Sequence, residues 1–282
     1  MIQKLRQEFS LAILLDVAQL PRATFYYHLK QLKKADKYHS VKEEITAIFH
    51  ENKGRYGYRR ITAELRNRNI YLNHKTVQRL MQKLGLVCRT RMKKYRSYKG
   101  EVGKVAGNII QRNFKADRPL QKWTTDVTQF HFSWGKCYLS PILDMNTNEI
   151  ISYDLSMIPN LNQIKRMLNR AFKKFRNLQG LIMHSDQGWQ YQHEYYRSEL
   201  KKHGIIQSMS RKGNCYDNSI METFFGRMKN EMYYGSEKEY TSFKVFAKAV
   251  KEYIHYFNKE RIQKKTKWMP PEIYRETSTN AI

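Results

Sequence analysis

Cysteine is scarce. Cys88, Cys137 and Cys215 are the three in 282 residues, and no two stand at CxxC spacing. That pattern fits neither a cysteine zinc site nor a disulfide framework, and a reducing, cytoplasmic compartment is the simplest expectation. No run of 18 apolar residues occurs, and the first residues lack a signal peptide's uninterrupted apolar core, so neither a membrane span nor export is expected. Low-complexity tracts are absent. Acids are short as well: 25 Asp+Glu face 52 Lys+Arg, a net charge of +27. This is far beyond what solubility needs, and the natural partner is a polyanion. The shortage is uneven. Residues 1–120 hold 27 Lys+Arg against 9 Asp+Glu, so the front is the stronger electrostatic footprint and the back keeps most of the acids. The length leaves room for one catalytic domain and one or two small ones.

Residues 9–32 read as two helices about a break at Gln19-Leu20-Pro21, a layout shared by a helix-turn-helix and an ordinary helical hairpin. Residues 1–38 are therefore a helical unit and a candidate helix-turn-helix. Residues 39–88 give a stronger pattern. An amphipathic helix with Val41, Ile45, Ile48 and Phe49 inward is followed by Arg55-Tyr56-Gly57-Tyr58-Arg59-Arg60-Ile61 leading into a second. Asn73 is placed to cap a third helix, which Gly85 ends. Its buried stripe is Val77, Leu80, Met81 and Leu84. His74, Lys75, Gln78, Arg79 and Gln82 remain for solvent or DNA, and such side chains suit phosphates and base edges. With Arg59 and Arg60, these are the expected DNA contacts of the front. Residues 89–112 form a basic linker. Its first eleven residues include Arg91, Lys93, Lys94 and Arg96 and no acid, which suits tracking a phosphate backbone.

From residue 113 the composition changes. Trp123-Thr124-Thr125-Asp126-Val127-Thr128 lies in a stretch rich in Trp, Thr, Val and Phe that reads as one strand over residues 121–132. Strands over 136–145 and 149–155 complete an antiparallel meander. A helix over 161–175, a strand at 181–183, a helix over 191–203, a strand at 205–209 and a helix bearing Glu222 follow. The sum is an α/β domain over residues 113–277, a mixed five-stranded sheet flanked by helices. Asp126 is a charge inside a strand expected to be central, where charges are paired or metal-bound. Asp186 follows the apolar run Leu181-Ile182-Met183 in His184-Ser185-Asp186-Gln187-Gly188, at a strand end. Glu222 lies on the helix after Asp217-Asn218, either of which has the chemistry of an N-cap, and Lys229 is seven residues further along. Thirty-five residues separate Asp186 from Glu222. Oxygen-only carboxylate ligands suit Mg²⁺ or Mn²⁺ and disfavour zinc.

These motifs, with Tyr256-Phe257-Asn258-Lys259-Glu260-Arg261 near the end, resemble the DDE transposases and retroviral integrases. More narrowly, the chain resembles the second-reading-frame transposases of bacterial insertion sequences that encode two overlapping frames. The resemblance implies a ribonuclease-H-like integrase core behind a helix-turn-helix, with Asp126, Asp186 and Glu222 as catalytic and metal-binding residues and Mg²⁺ or Mn²⁺ as cofactor. It implies cleavage of element ends and their joining to target DNA by phosphoryl transfer, with Lys229 holding a phosphate near the reacting end. The implied partners are terminal-repeat and target DNA, further copies of the chain on that DNA, and an upstream first-frame product joined by frameshifting. A bacterial, nucleoid-associated location goes with them. Two departures stand out: Trp268 occupies a position where a glycine is expected, and Phe257 replaces a usual tyrosine.

Other acids compete for the site. Asp144 and Asp154 are expected to make ordinary surface pairs and Asp217 to cap a helix, while His184 reads as a packing residue more than a ligand. Two other functions fit part of the pattern. One is a DNA-binding regulator with an inactive catalytic-like domain. The other is a ribonuclease acting on RNA–DNA hybrids, which explains neither the helical front nor the basic linker.

Overall fold

The computed structural model describes residues 2–32, 36–88, 106–211 and 215–279. Three short helices open it: α1 (Ile2–Leu5), α2 (Leu11–Val17) and α3 (Arg22–Leu32). Between α2 and α3 the chain turns at Gln19, φ +49°, and Pro21 precedes α3 where a missing N–H costs nothing. Leu15 and Phe25 are buried in this unit, whereas Ile13 and Val17 are exposed.

α4 (His39–Glu51), α5 (Tyr58–Asn67) and α6 (His74–Lys83) form the next unit. The Asn73 side chain caps α6 by accepting from the Lys75 N–H at 2.9 Å, and Gly85 takes the left-handed conformation that stops it, φ +66°. Val77, Leu80 and Met81 pack against Ile45, Ile48, Ile61 and Leu65, as the periodicity of α6 predicts.

The sheet comprises β1 (Lys122–Thr125), β2 (Thr128–Phe132), β3 (Gly135–Asp144), β4 (Ile150–Ser156), β5 (Ile182–Ser185) and β6 (Ile206–Met209). The meander is antiparallel, while β5 and β6 add in parallel beyond β1. β1 and β2 pair with successive parts of the same edge of β3, β4 with the other edge. Six segments thus fill five strand positions. The single strand expected over residues 121–132 is broken at Asp126-Val127, so Asp126 stands in a gap in the ladder, not inside a strand. The Asp126 carboxylate accepts from the Val127 N–H at 2.7 Å, a local bond that competes with the ladder.

One face of the sheet carries α7 (Leu161–Lys174), α8 (Trp189–Gln192) and α9 (Glu194–Lys202), closing over Trp123, Ile142 and Met183. The helix expected over 191–203 is two helices, because the His193 side chain caps α9 by accepting from the Tyr195 N–H. The opposite face carries α10 (Ser219–Met228) and α11 (Phe243–Lys259), over Phe130, Leu139 and Leu143. A π-helical turn (Lys229–Tyr233) follows α10, and α12 (Pro271–Thr279) ends the described chain. The apolar cluster on this second face continues into α4–α6. Tyr56, from the Arg55–Ile61 motif, is buried at that junction and its hydroxyl accepts from the Ile262 N–H at 3.0 Å.

Three acids differ from expectation. Asp144 is buried, not a surface partner, because the N–H groups of Leu120, Asn146 and Thr147 and the Trp123 indole converge on it at 2.8–3.1 Å. Asp154 is buried too and is gripped by Arg166 and Arg170. Asp217 caps nothing: Arg112, Arg211 and Asn108 hold its carboxylate at 2.9–3.1 Å. Asn218 occupies the cap position of α10 without a capping bond. In the tail, Trp268 adopts φ +63°, the left-handed conformation that explains why a glycine is expected there. Phe257 is buried against Phe224, with ring centroids 5.1 Å apart.

Candidate active site

β1 and β5 are parallel neighbours, with Trp123 beside Met183 and Thr124 beside His184. Continuing that register sets Asp126 level with Asp186, each just past the carboxyl end of its strand, where open α/β sheets bind ligands. Asp186 is held there by a turn. Its Oδ1 accepts from the Gly188 N–H at 2.9 Å, and a Cβ on Gly188 would come within 3.0 Å of that same oxygen. Glycine is needed at 188 for close approach, not for its φ. Glu222 approaches on α10, in its first turn.

The electrostatics set these three acids apart. Burial, then the neighbouring Asp186 and Glu222 charges, push the Asp126 carboxyl well above the usual carboxylate range, and the Val127 N–H opposes them only partly. Burial raises Asp186 against the Gly188 bond, and burial raises Glu222. No salt bridge reaches any of the three among the described residues. The charge that compensates Asp126 is Lys229. Its ammonium donates to the Gln129 carbonyl at 3.0 Å and lies 5.0 Å from the Phe130 ring centroid. Burial lowers its pKa while Asp126 opposes the change.

Mutual repulsion and an all-oxygen donor set are the chemistry of a site for a hard divalent cation. The fit is one of donor type and charge. Among the described residues no three His, Cys, Asp or Glu side chains close around a single point as a finished cage. Asp126 and Asp186 each spend one oxygen on a backbone N–H, and like charges resist closer approach.

Tyr191 carried no sequence signal, Asn218 read only as a cap candidate, and His184 read as a packing residue. Tyr191 is buried under the site, its hydroxyl 3.4 Å from Thr125 Oγ1, and its pKa is raised by burial and then by Asp126 and Asp186. Asn218 Oδ1 accepts from Thr124 Oγ1 at 2.9 Å. His184 is buried between Ser208 Oγ and the Asp217 carbonyl, each at 2.9 Å, a packing role and not a ligand's.

Comparison with known proteins gives the family. Residues 37–94 match the family described as HTH-like domain, residues 116–215 an integrase core domain family, and residues 222–278 a second integrase core domain family. The transposase InsK for insertion sequence element IS150 of Escherichia coli (strain K12) is 51% identical over 274 residues, 97% of this chain and 96% of that protein. The chain belongs to the integrase-core transposases of insertion sequences. The transposase for insertion sequence element IS904 of Lactococcus lactis is 33% identical, covering 88% of this chain and 98% of that one. The HTLV-2 integrase catalytic core domain, solved in complex with magnesium, aligns at a TM-score of 0.47 and 13% identity, over 57% of this chain and 99% of that chain.

As an insertion-sequence transposase the chain is a DNA-binding polynucleotidyl transferase of the DDE class, and this type of core uses a divalent metal. No helix among its described residues is long and apolar enough to cross a membrane. On the HTH-like unit of the transposase, His74, Lys75, Gln78, Arg79 and Gln82 are all exposed along α6, and Arg59 is exposed on α5. Arg60 is placed differently. It is half-buried, 5.5 Å from the Tyr56 ring centroid, and its pKa is lowered by burial and then by Arg261, so it faces the junction with the core. Arg91, Lys93, Lys94 and Arg96 lie outside the described residues.

Proposed function

We propose that Asp126, Asp186 and Glu222 are the catalytic, metal-binding carboxylates of this transposase, and that Mg²⁺ (or Mn²⁺) is the ion they hold. The observation that carries this reading is the parallel register of β1 and β5. It sets two half-buried acids level at the strand ends, beside a third, with no salt bridge to any of them among the described residues. When bound, the metal supplies Lewis-acid activation of a water or DNA 3′-hydroxyl and neutralises charge at the scissile phosphate. The chain's own contribution is orientation. Asp126 and Asp186 present oxygens from the rigid sheet, Glu222 presents its own from α10, and Lys229 offers an ammonium to a phosphate on release from the Gln129 carbonyl. End cleavage and strand joining are both phosphoryl transfers, so one site serves both and no covalent protein intermediate is required.

The same proposal gives the duplex-binding role to the α6 face (His74, Lys75, Gln78, Arg79) with Arg59, and a sequence-independent phosphate-tracking role to Arg91, Lys93, Lys94 and Arg96. Arg60 is assigned to end binding indirectly, through its place beside Tyr56. A homo-oligomer on DNA and an upstream first-frame product complete the reading. One experiment tests it: cleavage, joining and end binding measured side by side for Asp186→Asn and Arg79→Ala. Asp186→Asn loses cleavage and joining together and keeps end binding. Arg79→Ala weakens end binding by ~1–3 kcal/mol if it meets a base edge, and flattens the salt dependence if it meets phosphate. Strand transfer by Asp186→Asn in Mg²⁺, or wild-type activity in excess chelator, overturns the assignment.

A further inference from the structure

Just ahead of the three acids in the chain stands a second set of side chains, buried and linked by hydrogen bonds. Thr124 is two residues before Asp126, His184 two before Asp186, and Asn218 four before Glu222. Thr124 is on β1 and His184 on β5, each two residues back from an acid that lies just past its strand, and Asn218 is the N-cap residue of the helix that bears Glu222. Thr124 Oγ1 donates to Asn218 Oδ1 at 2.9 Å, tying β1 to the start of α10. His184 Nε2 meets the Asp217 carbonyl at 2.9 Å, tying β5 to the same turn. A carbonyl only accepts, so Nε2 carries the proton. Nδ1 of the neutral ring is then the acceptor for the Ser208 hydroxyl on β6, at 2.9 Å. Ser208 Oγ in turn accepts from the Ile109 and Ile110 N–H groups at 3.1 and 3.4 Å. Asn108 and Arg112, from the same segment, hold the Asp217 carboxylate. Thr124, His184 and Ser208 have no solvent exposure, and Asn218 has 5%.

We propose that Thr124, His184, Ser208 and Asn218 are positioning residues that keep Asp126, Asp186 and Glu222 in mutual register, with residues 108–112 as the network's outer clasp. This rests on the reading of the three acids as the metal centre. The acids repel one another and no salt bridge fixes them among the described residues, so their spacing has to be set by the elements that carry them. Each of the three elements that bear them has one direct link to the same two residues, Asp217 and Asn218. The link at Asn218 is single: its Nδ2 has no partner among the described residues, so loss of the Thr124 hydroxyl leaves the amide unheld. A misplacement of about 1 Å in a catalytic group costs on the order of 10²-fold in rate, and that is the scale on which such a link acts. Residues 108–112 are the last part of the stretch expected as the basic linker, so the seating of that segment is coupled to the register of the acids.

The test is a Mn²⁺ titration of the full chain, followed by electron paramagnetic resonance of the free ion, with strand-transfer rates and melting temperatures measured on the same proteins. Thr124→Val and Asn218→Ala each raise the Mn²⁺ concentration for half-binding at least ~5-fold and slow strand transfer ~10–100-fold, and Thr124→Ser restores both to within about twofold. The double variant is no worse than about twofold below the slower single, because both remove one bond. Ser152→Ala removes another buried bond, to the Met167 carbonyl, that none of the network residues shares. It lowers the melting temperature without moving the Mn²⁺ midpoint. If Thr124→Val does not fold, Arg112→Ala, with a half-exposed side chain, raises the midpoint at least ~2-fold by loosening Asp217. Wild-type midpoints in the folded network variants, an equal shift in Ser152→Ala, or multiplying losses in the double variant overturn the network. Asp186→Asn separates the two readings. If it binds Mn²⁺ like the wild type, the metal centre itself is misassigned. If it loses binding while Thr124→Val does not, the network alone fails.

Discussion

Where β3 stops and β4 begins, Asp144 accepts four N–H bonds and Glu149 is clasped between Lys174 at 2.7 Å and Arg275 at 2.6 Å. At the opposite end of the same sheet, Asp126 and Asp186 stand level with one backbone N–H each and no salt bridge among the described residues. Both ends bury carboxylates, and only one end completes their pairing. A fold that satisfies acids so thoroughly at one end is able to do so at the other. The unpaired end is a stability cost, and the proposed metal centre accounts for it.

Exchanging acid for amide at the two ends gives the largest contrast. Asp126→Asn removes the charge that burial, Asp186 and Glu222 all disfavour, so it melts at the same temperature as the wild type or higher. Its strand-transfer rate falls by ~10³-fold or more, the scale of losing a group that acts in the transition state. Glu149→Gln does the reverse. It leaves two cations without their carboxylate and costs about 1.5–3 kcal/mol of stability, while activity per folded molecule is kept. Melting curves and single-turnover assays on the two variants check both. Destabilisation by Asp126→Asn, or loss of chemistry in folded Glu149→Gln, would break the contrast.

Acid titration sharpens it further. Arg211 and Arg112 hold the Asp217 carboxyl far below its ordinary value. A depressed folded pKa contributes stability that is present above the unfolded carboxylate's ~3.9 and is lost as pH falls from there toward the folded value. Asp217→Asn is thus less stable at pH 7 and loses less between pH ~5 and ~2, by denaturant unfolding at several pH values. Asp126, raised, has the opposite sign. Its penalty on the folded state at neutral pH is relieved as pH falls through its raised pKa.

The smallest expected effect is steric. A Cβ at residue 188 meets Asp186 Oδ1 and Gln190 Oε1 at 3.0 Å, so Gly188→Ala displaces the carboxylate by a few tenths of an ångström. Strand transfer slows about 3–10-fold with little change in melting temperature. Wild-type rates in Gly188→Ala would show that the position of Asp186 is not set by that turn.

Periodicity made α6 legible residue by residue, because one face of a helix leaves a stripe at fixed spacing. Asp126 was legible as a charge in an apolar, β-rich stretch. The break beside it was not, since it depends on a carboxylate capturing the next N–H. Asp144 shows the limit from the other side. An acid at a strand end reads alike whether it meets solvent, a metal or four converging N–H groups, and while residues 146 and 147 donate from the local turn, only the fold brings in residues 120 and 123. Asp217 looked like a cap because caps are local, while of its partners only Arg211 is near in the chain and Arg112 and Asn108 lie more than 100 positions away. The bond between Thr124 and Asn218, and the place of Tyr191, were invisible for the same reason.

The most direct test of the unpaired end is the melting temperature of the DNA-free protein against Mg²⁺, and then Mn²⁺, concentration. An ion that binds only the folded state adds stability of about 2.7 kcal/mol at 100 times its Kd. The wild-type melting temperature should rise along that curve, steeply at first because the ion relieves the repulsion among Asp126, Asp186 and Glu222, while Asp126→Asn stays nearly flat. A wild type indifferent to both ions, or an equal rise in Asp126→Asn, would contradict the assignment of these three carboxylates as the metal centre.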